Sequence, residues 1–171
     1  MKDIFEDLSK EELIKVLKMF AKNWLTVDGL WFSLVEGEFG LDTALRLDEK
    51  MWERNSQIEA KRIKETLKIN EKGVKGVVKA FNFLTSLPAF NYKLEVIDDK
   101  KAVFSVTGCV PQEMRLRAGK ELFPCRNVTI ILFSNFAKVI DPDVKIRCIF
   151  CPPEKKRGSI WCKWELYSNQ E

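Results

Sequence analysis

The 171-residue sequence contains no histidine, and this absence removes several classes of function. Without an imidazole, the chain can form neither a His-based catalytic triad nor a proximal histidine bond to haem iron. It also lacks long apolar runs: stretches such as residues 128–133 fall far short of the roughly 20 residues needed to cross a bilayer. The first residues show no uninterrupted apolar segment and no small-residue cleavage site. We therefore expect a cytoplasmic protein without a membrane partner.

The sequence also has no block of one charge sign. Lysine and arginine number 29 against 25 acidic residues, which gives a net charge of +4 with both signs mixed along the chain. We expect no nucleic-acid partner, because this weak balance is accompanied by no aromatic platform and no recognised binding motif. A composition of 46% hydrophobic and 32% charged residues can bury one core, and the length predicts a single domain over residues 1–171.

Apolar periodicity predicts that the first part of the chain, about residues 9–88, is helical. Ser9 and Glu12 have the spacing of a capping box, so a first helix should begin near Lys10. Asp42 can cap a second long helix, and Asn70 opens a shorter third one. The apolar stripe of the first helix consists of Leu13, Val16, Leu17, Phe20, Trp24, Val27, Trp31 and Leu34.

The second part, about residues 91–167, alternates polar and apolar residues as strands do. We expect an α+β fold in which three N-terminal helices precede a β-hairpin, a helix and a β-hairpin, with the helices packed on one antiparallel sheet. The predicted segments are strands at 92–96 and 102–109, a turn or short helix at 111–119, a helix from 124 to 139, and strands at 144–150 and 160–167. The predicted core includes Trp24, Trp52, Phe81, Phe104, Ile131 and Trp164.

All five cysteines lie beyond residue 108, and four of them are candidate metal ligands. Cys148 and Cys151 have the C-x-x-C spacing that suits thiolate ligation. Cys109 ends a predicted strand and Cys125 begins a predicted helix, so we expect these four thiols to converge at one end of the sheet. They predict a site for zinc or an iron–sulfur cluster.

Two other interpretations of these cysteines remain open. The thiols could be reactive or could line a ligand site, and free cysteine also behaves as a small apolar residue that simply packs in strands. Cys162 alternates with Trp164 and Leu166, so we assign it to core packing apart from the other four. In a regular strand Cys148 and Cys151 would lie on opposite faces, and only a turn caused by the two following prolines could bring their sulfurs together.

Five further residues are candidates for binding a small-molecule ligand. Asp28 interrupts the apolar stripe of the first helix beside Trp31; a buried carboxylate there could act as an acid or base, or could pair with Arg62 of the second helix. Arg115 and Arg117 could hold a carboxylate or phosphate, although a solvated charge cluster with Glu121 explains them equally well.

Several short segments resemble a known group of proteins. The segments DGLWF (28–32), RLRAG (115–119), FPC (123–125), RCIFCPP (147–153) and WCKWE (161–165) look like an uncharacterised prokaryotic family related to the aminothiazoline-carboxylate hydrolases. The predicted order of elements resembles the 4-vinyl-reductase domains, a superfamily that also contains trafficking-complex subunits and haem-based nitric-oxide sensors. The quoted segments span about residues 24 to 166.

This resemblance implies two functions. The first is a small-ligand-binding or metal-binding domain, for which we expect an aromatic-lined pocket between the helices and the sheet. The alternative is a hydrolase that opens a small amino-acid-derived ring, with a cysteine thiolate or a metal-bound water as nucleophile and Arg115 or Arg117 holding the substrate carboxylate. The protein could also form a homodimer.

Overall fold

A computed structural model describes residues 4–168. A 3-10 turn, Ile4–Asp7, precedes the first helix, α1, which extends over Lys10–Phe39. Its start is the predicted capping box: the Ser9 hydroxyl accepts from the Glu12 N–H at 3.2 Å, and the Glu12 carboxylate accepts from the Ser9 N–H at 2.8 Å. The sequence signal for this helix start is therefore confirmed.

The elements of residues 4–168 confirm the predicted α+β class, with five helices, α1 among them, and four antiparallel strands. Helix α4 forms where the sequence predicted either a turn or a short helix. The bounds are α2 at Leu41–Thr66, α3 at Gly73–Phe81, a 3-10 turn at Leu87–Ala89, β1 at Asn91–Asp98, β2 at Lys101–Gly108, α4 at Val110–Arg117, α5 at Arg126–Ile140, β3 at Val144–Phe150 and β4 at Cys162–Ser168.

The four strands form one sheet in the order β1-β2-β4-β3, so the last strand of the chain is an inner strand. It pairs with β2 on one side and with β3 on the other: Val106 of β2 lies opposite Cys162, and Cys148 of β3 lies opposite Trp164. Because both pairings are antiparallel, β2 and β3 end at the same edge of the sheet where β4 begins. The cysteines lie at or near this edge.

The core lies between the sheet and helices α3 and α5. Phe133 packs against Phe81, Phe104 and Trp164 with ring centroids 4.8, 5.6 and 5.5 Å apart and with steeply inclined ring planes. These rings fill the space in which we expected an aromatic-lined pocket. Of the predicted core residues, Trp52, Phe81, Phe104 and Trp164 are buried, whereas Trp24 and Ile131 remain partly exposed.

Helix α1 lies at the margin of this core. It packs antiparallel to α2, which in turn packs on α5, and Ala21 is its one buried residue within the described chain. Much of its apolar stripe therefore faces solvent. Across residues 4–168, no helix combines the length and the apolar character that crossing a membrane requires.

Candidate functional site

The edge of the sheet where β2 and β3 end brings the thiols of four chain segments together. Cys109 follows β2, Cys125 is the N-cap of α5, and Cys162 opens β4. Cys148 and Cys151 come from the end of β3. All five are free cysteines. The predicted convergence of Cys109, Cys125, Cys148 and Cys151 on one rim agrees with this arrangement.

A β-bulge brings the thiols of the C-x-x-C pair together. The register between β3 and β4 shifts between Cys148 and Phe150. An extra residue in one strand reverses the alternation of side chains beyond it, so residues three apart can share a face. The thiols of Cys148 and Cys151 accordingly lie close enough for each to shift the pKa of the other. The bulge within β3 thus places both sulfurs on one side, where the sequence suggested a proline-induced turn.

Cys151 is the thiol of this cluster that most readily ionises. Its pKa is lowered to about 7, first because Cys125 hydrogen-bonds to its sulfur and further because Cys148 hydrogen-bonds to it and the Arg126 guanidinium lies nearby. Burial opposes this shift but does not cancel it. Cys151 is fully buried. Of these three neighbouring thiols, Cys151 is therefore the one that ionises first.

The other four thiols hold their protons. Burial raises the pKa of Cys109 and of Cys148 to about 12 and that of Cys162 to about 11. The pKa of Cys125 is raised mainly because its proton is held in the hydrogen bond to Cys151. Charge repulsion from Cys162 contributes to the raised pKa values of Cys109, Cys125 and Cys148. Cys162 therefore interacts with the other four thiols, and it also packs against the hydrophobic core, as the strand pattern predicted.

Trp164 leaves an unpaired donor beside the cluster. Its indole N–H is the one buried side-chain nitrogen or oxygen in the described chain without a hydrogen-bond partner. The indole lies close to the Cys162 sulfur, and its influence lowers the pKa of that thiol against the larger effect of burial. A buried donor without an acceptor is costly, and a charged sulfur on Cys162 would satisfy it.

The segment that leads to Cys125 is fixed by α4. Gln112 is buried, and its side-chain amide accepts from the Phe123 N–H at 2.9 Å and donates to the Phe123 carbonyl at 2.8 Å. Arg115 donates to the Glu121 carbonyl at 2.9 Å. At the start of α5, the Cys125 thiol also lies 3.8 Å from the Pro152 carbonyl oxygen, its alternative acceptor. These bonds hold Cys125 beside the end of β3.

Arg115 is engaged within the chain. Its guanidinium donates to both carboxylate oxygens of Glu36 at 2.8 and 3.0 Å, and Lys120 donates to the same carboxylate at 2.8 Å. The hydrogen bond from Arg115 is the main reason why the pKa of Glu36 is lowered to about 2. This bidentate pair occupies the fork that was predicted to hold a ligand, so Arg115 joins α1 to α4. Arg117, near the end of α4, is exposed.

Asp28 meets a second carboxylate rather than Arg62. Burial raises its pKa, and burial together with the charge of Asp28 raises the pKa of Asp48 in α2 to about 7. Trp52 hydrogen-bonds to Asp48. In the α1/α2 hairpin, which turns at Gly40, Asp28 lies level with residue 52, and Arg62 is ten residues further on, about 15 Å along the helix. This distance explains why the described chain contains no Asp28–Arg62 ion pair.

The predicted ligand residues do not form one site. Trp31 has 67% of its surface exposed, Arg62 is exposed on α2, and Arg115 is paired with Glu36. Two shallow clefts of about 220 and 450 Å³ lie along α2, and both are lined mainly by charged and polar side chains. The cysteine cluster is thus the place where predicted functional residues meet.

Comparison with known proteins agrees with the extent of this fold. Residues 6–168 match DUF6125, which is described as a family of unknown function. The chain belongs to DUF6125. No curated protein and no solved structure matches it. Family membership therefore supplies no activity, and the chemistry of this DUF6125 domain has to be argued from its own residues.

The side-chain arrangement bears on the predicted metal site. Among residues 4–168, no three cysteine, aspartate or glutamate side chains are disposed as a ready metal-ligand set. Cys151 hydrogen-bonds to Cys125 and Cys148, but the outer thiols are not gathered around one point. The assignment of zinc or an iron–sulfur cluster to Cys109, Cys125, Cys148 and Cys151 stays a prediction, and a metal would require these side chains to rearrange.

Sequence reasoning missed several residues that shape the site. Asp48 had a local signal, because it lies four residues before Trp52 on the same side of α2. Glu36 and Gln112 had none, since their partners are 79 and 11 residues away and only the fold brings them together. Arg126 was missed because its effect on Cys148 and Cys151 depends on where β3 ends relative to α5.

Proposed function

We propose that this domain binds a soft metal ion, with zinc as the simplest case, through the thiols of its cysteine cluster. The inner ligands would be Cys125, Cys148 and Cys151, with Cys162 or Cys109 as the fourth. The observation that carries the proposal is the convergence of free thiols at one end of the sheet, where the interaction with Cys125 and Cys148 lowers the pKa of Cys151 to about 7. The five reduced thiols fit a cytoplasmic location, because the cytosol keeps cysteines reduced.

The chemistry of a thiol cluster favours a cation. Metal ligation requires deprotonated sulfur, and a hydrogen-bonded group of thiols around one thiolate holds protons at positions that a metal ion can replace. Cys125 and Cys148 lie beside Cys151, so ionisation of either thiol after Cys151, without a cation, would place two negative sulfurs side by side. A soft cation removes that repulsion.

Cys162 is a better fourth ligand than Cys109. Repulsion from Cys162 contributes more to the raised pKa of Cys125 than repulsion from Cys109 does. The unpaired indole N–H of Trp164 lies near the Cys162 sulfur and would donate to a ligating thiolate. This choice revises the predicted set, in which Cys109 was a ligand and Cys162 was not.

Metal analysis of protein purified without oxygen tests the proposal. We expect about one zinc or iron per chain, and loss of that metal in Cys151→Ser and Cys148→Ser. Cys109→Ser is the matched control, since it removes a buried thiol of the same cluster that should not ligate. Metal-free protein that also gives no thiolate-to-cobalt charge-transfer absorption on addition of Co²⁺ would reject the proposal.

A second candidate is hydrolysis of a small ring that carries a carboxylate. It is favoured by Arg126, whose guanidinium lies close to Cys148 and Cys151. Arg126 pairs with Glu154, but both side chains are about half exposed, so a substrate carboxylate could displace Glu154 beside the thiolate. Arg126 would take the role first given to Arg115, which is paired with Glu36. Incubation with an aminothiazoline carboxylate should then yield ring-opened product that Cys151→Ser abolishes, and no turnover by metal-loaded or metal-free protein would remove this candidate.

A further inference from the structure

The solvent side of α1 carries the pattern of a coiled-coil seam. Six apolar residues alternate at three- and four-residue spacing over three heptads. Five of them have between 47% and 67% of their surface exposed, and Trp24 is partly exposed. The seam consists of Leu17, Phe20, Trp24, Val27, Trp31 and Leu34. No part of the described chain covers this side of α1, so the seam lacks a partner within one copy.

The seam is symmetric about its own centre. An antiparallel partner turned about an axis between residues 25 and 26 would place Leu17 opposite Leu34, Phe20 opposite Trp31, and Trp24 opposite Val27. Every apolar position then faces another apolar position of an identical helix. Self-complementarity of this kind is the property that an isologous twofold interface requires.

The charges of α1 also favour antiparallel pairing of two identical helices. Its first half, residues 10–24, carries four lysines and two glutamates, whereas its second half, residues 25–39, carries Asp28, Glu36 and Glu38 and no basic residue. Antiparallel pairing places the basic half of one helix beside the acidic half of the other and also opposes the two helix dipoles. Parallel pairing would bring like charges together. Glu36 is already paired with Arg115 and Asp28 is largely buried beside Asp48 of the same copy, which leaves Glu38 for this effect.

The size of the seam suits a dimer. A helix of 30 residues is about 45 Å long. A buried aromatic side chain removes roughly 150–250 Å² from water, so two exposed aromatic and three exposed aliphatic residues account for several hundred Å² per copy. This is of the same order as the roughly 800 Å² per partner that a standard interface buries.

We propose that α1 pairs with α1 of a second copy of this chain, antiparallel and about a twofold axis near residue 25. This inference goes beyond the proposed metal binding and does not depend on it. Solution mass measured by light scattering over a concentration series tests it on the full chain. We expect a dimer, and Val27→Glu and Leu34→Glu should each weaken dimerisation at least tenfold. The matched control is Phe83→Glu, which alters an apolar residue outside α1 with 53% of its surface exposed and should leave the dimer intact.

The orientation has its own test. Zero-length crosslinking of a mixed dimer of isotopically labelled and unlabelled chains should join Lys15 or Lys18 of one copy to Glu38 of the other. Links between two identical ends would overturn the antiparallel arrangement. A chain that is monomeric at all concentrations, including one that instead binds vesicles of anionic lipid, would overturn the proposal. Circular dichroism spectra of the variants that match the unaltered protein establish that loss of the dimer is not loss of the fold.

Discussion

The thiol of Cys125, at the N-cap of α5, lies beside the sulfur of Cys151, just beyond the end of β3, and is the largest cause of the lowered pKa of Cys151. These residues are 26 positions apart in the sequence, and the fold joins them because α5 packs against β3. The acidity of Cys151 therefore depends on a residue in another element. Removing the donor should change the chemistry of Cys151 with little effect on the sheet that carries it.

We expect Cys125→Ala to raise the pKa of Cys151 from about 7 toward the ordinary thiol range, because the substitution removes the largest stabilising contact of the thiolate. Thiolate absorbance recorded against pH in the metal-free protein measures this. Cys109→Ala is the control and should leave the first ionisation unchanged. If the lowest thiol pKa is the same in Cys125→Ala as in the unaltered protein, Cys125 does not determine the pKa of Cys151.

The same pair predicts a pH dependence of stability. A thiol whose pKa falls on folding stabilises the folded state increasingly as pH rises from about 7 to the unfolded thiol pKa, roughly 8.5. This contribution is lost as pH falls through 7. Denaturant unfolding of the metal-free protein at pH 6.5 and 8.5 should show that Cys151→Ser removes this increase. Equal pH dependence in both proteins would contradict the lowered pKa.

Breaking the ion pair between α1 and α4 should destabilise the domain. The side chains of Arg115 and Glu36 are only 12% and 13% exposed. We expect Arg115→Ala to cost about 3 kcal/mol, the low end for a broken buried pair, because Lys120 still partners Glu36. Arg117→Ala at the exposed end of α4 should stay within about 0.5 kcal/mol. Denaturant unfolding at pH 7 measures both, and equal losses would show that the pair has no special role.

Glu36 also gives this pair a pH signature. Its pKa is about 2 in the folded protein, against roughly 4.3 in an unfolded chain. The stabilisation is therefore present above about pH 4 and is lost as pH falls toward 2. Glu36→Gln should unfold with a weaker acid dependence than the unaltered protein. A Glu36→Gln variant with an unchanged acid transition would contradict the assignment.

Asp48 should give the stability a pH dependence opposite to that from Glu36. Its pKa of about 7 exceeds the ordinary aspartate value of roughly 3.9, so the folded state binds more protons than the unfolded state between these limits. Stability should fall as pH rises from about 4 to 7, and Asp48→Asn should be more stable than the unaltered protein at pH 8 and nearly equal to it at pH 4. Glu53→Gln, on the exposed side of α2, is the control. A destabilised Asp48→Asn at pH 8 would mean that the charged carboxylate is needed there.

Two helix glycines should respond in opposite directions to the same change. A Cβ on Gly76 would lie 2.1 Å from the backbone oxygen of Glu71, whereas a Cβ on Gly29 in α1 meets nothing within 4 Å. Gly29→Ala should stabilise the protein by up to about 1 kcal/mol through helix propensity. Gly76→Ala should destabilise it, because backbone must move to admit the methyl group. Thermal unfolding of both variants decides this, and stabilisation by both would remove the steric argument.

Local signals in the sequence predicted most of the fold. The Ser9–Glu12 capping box, the alternation in the strands and the turn at residues 98–100 depend on neighbours within a few residues, so they survive without tertiary information. The pairing of β4 between β2 and β3 does not, because it joins segments some 60 residues apart. Placement of Asp28 opposite Asp48 rather than Arg62 depends on where the α1/α2 hairpin turns, which residue spacing within one helix cannot give.

The candidate site was predictable in part, because the order of the elements along the chain is itself a local signal. Chain order places Cys109, Cys125 and Cys148 at element ends, and an antiparallel sheet brings such ends together. The inclusion of Cys162 could not be seen, because an alternating strand pattern resembles core packing whatever lies at its first residue. The bulge that aligns Cys148 with Cys151 also has no sequence signal here, since it appears only in the register against β4.

If the cysteine cluster holds a metal ion through thiolates, metal binding must release the protons of the thiols that become ligands. Zinc titrated into oxygen-free, metal-free protein at pH 7, in two buffers of different ionisation enthalpy, gives the number of protons released. Four thiolate ligands, one of them Cys151 with a pKa of about 7, predict release of roughly three to four protons per zinc. Absence of zinc binding, or binding that releases no protons and survives in Cys151→Ser, would contradict the claim.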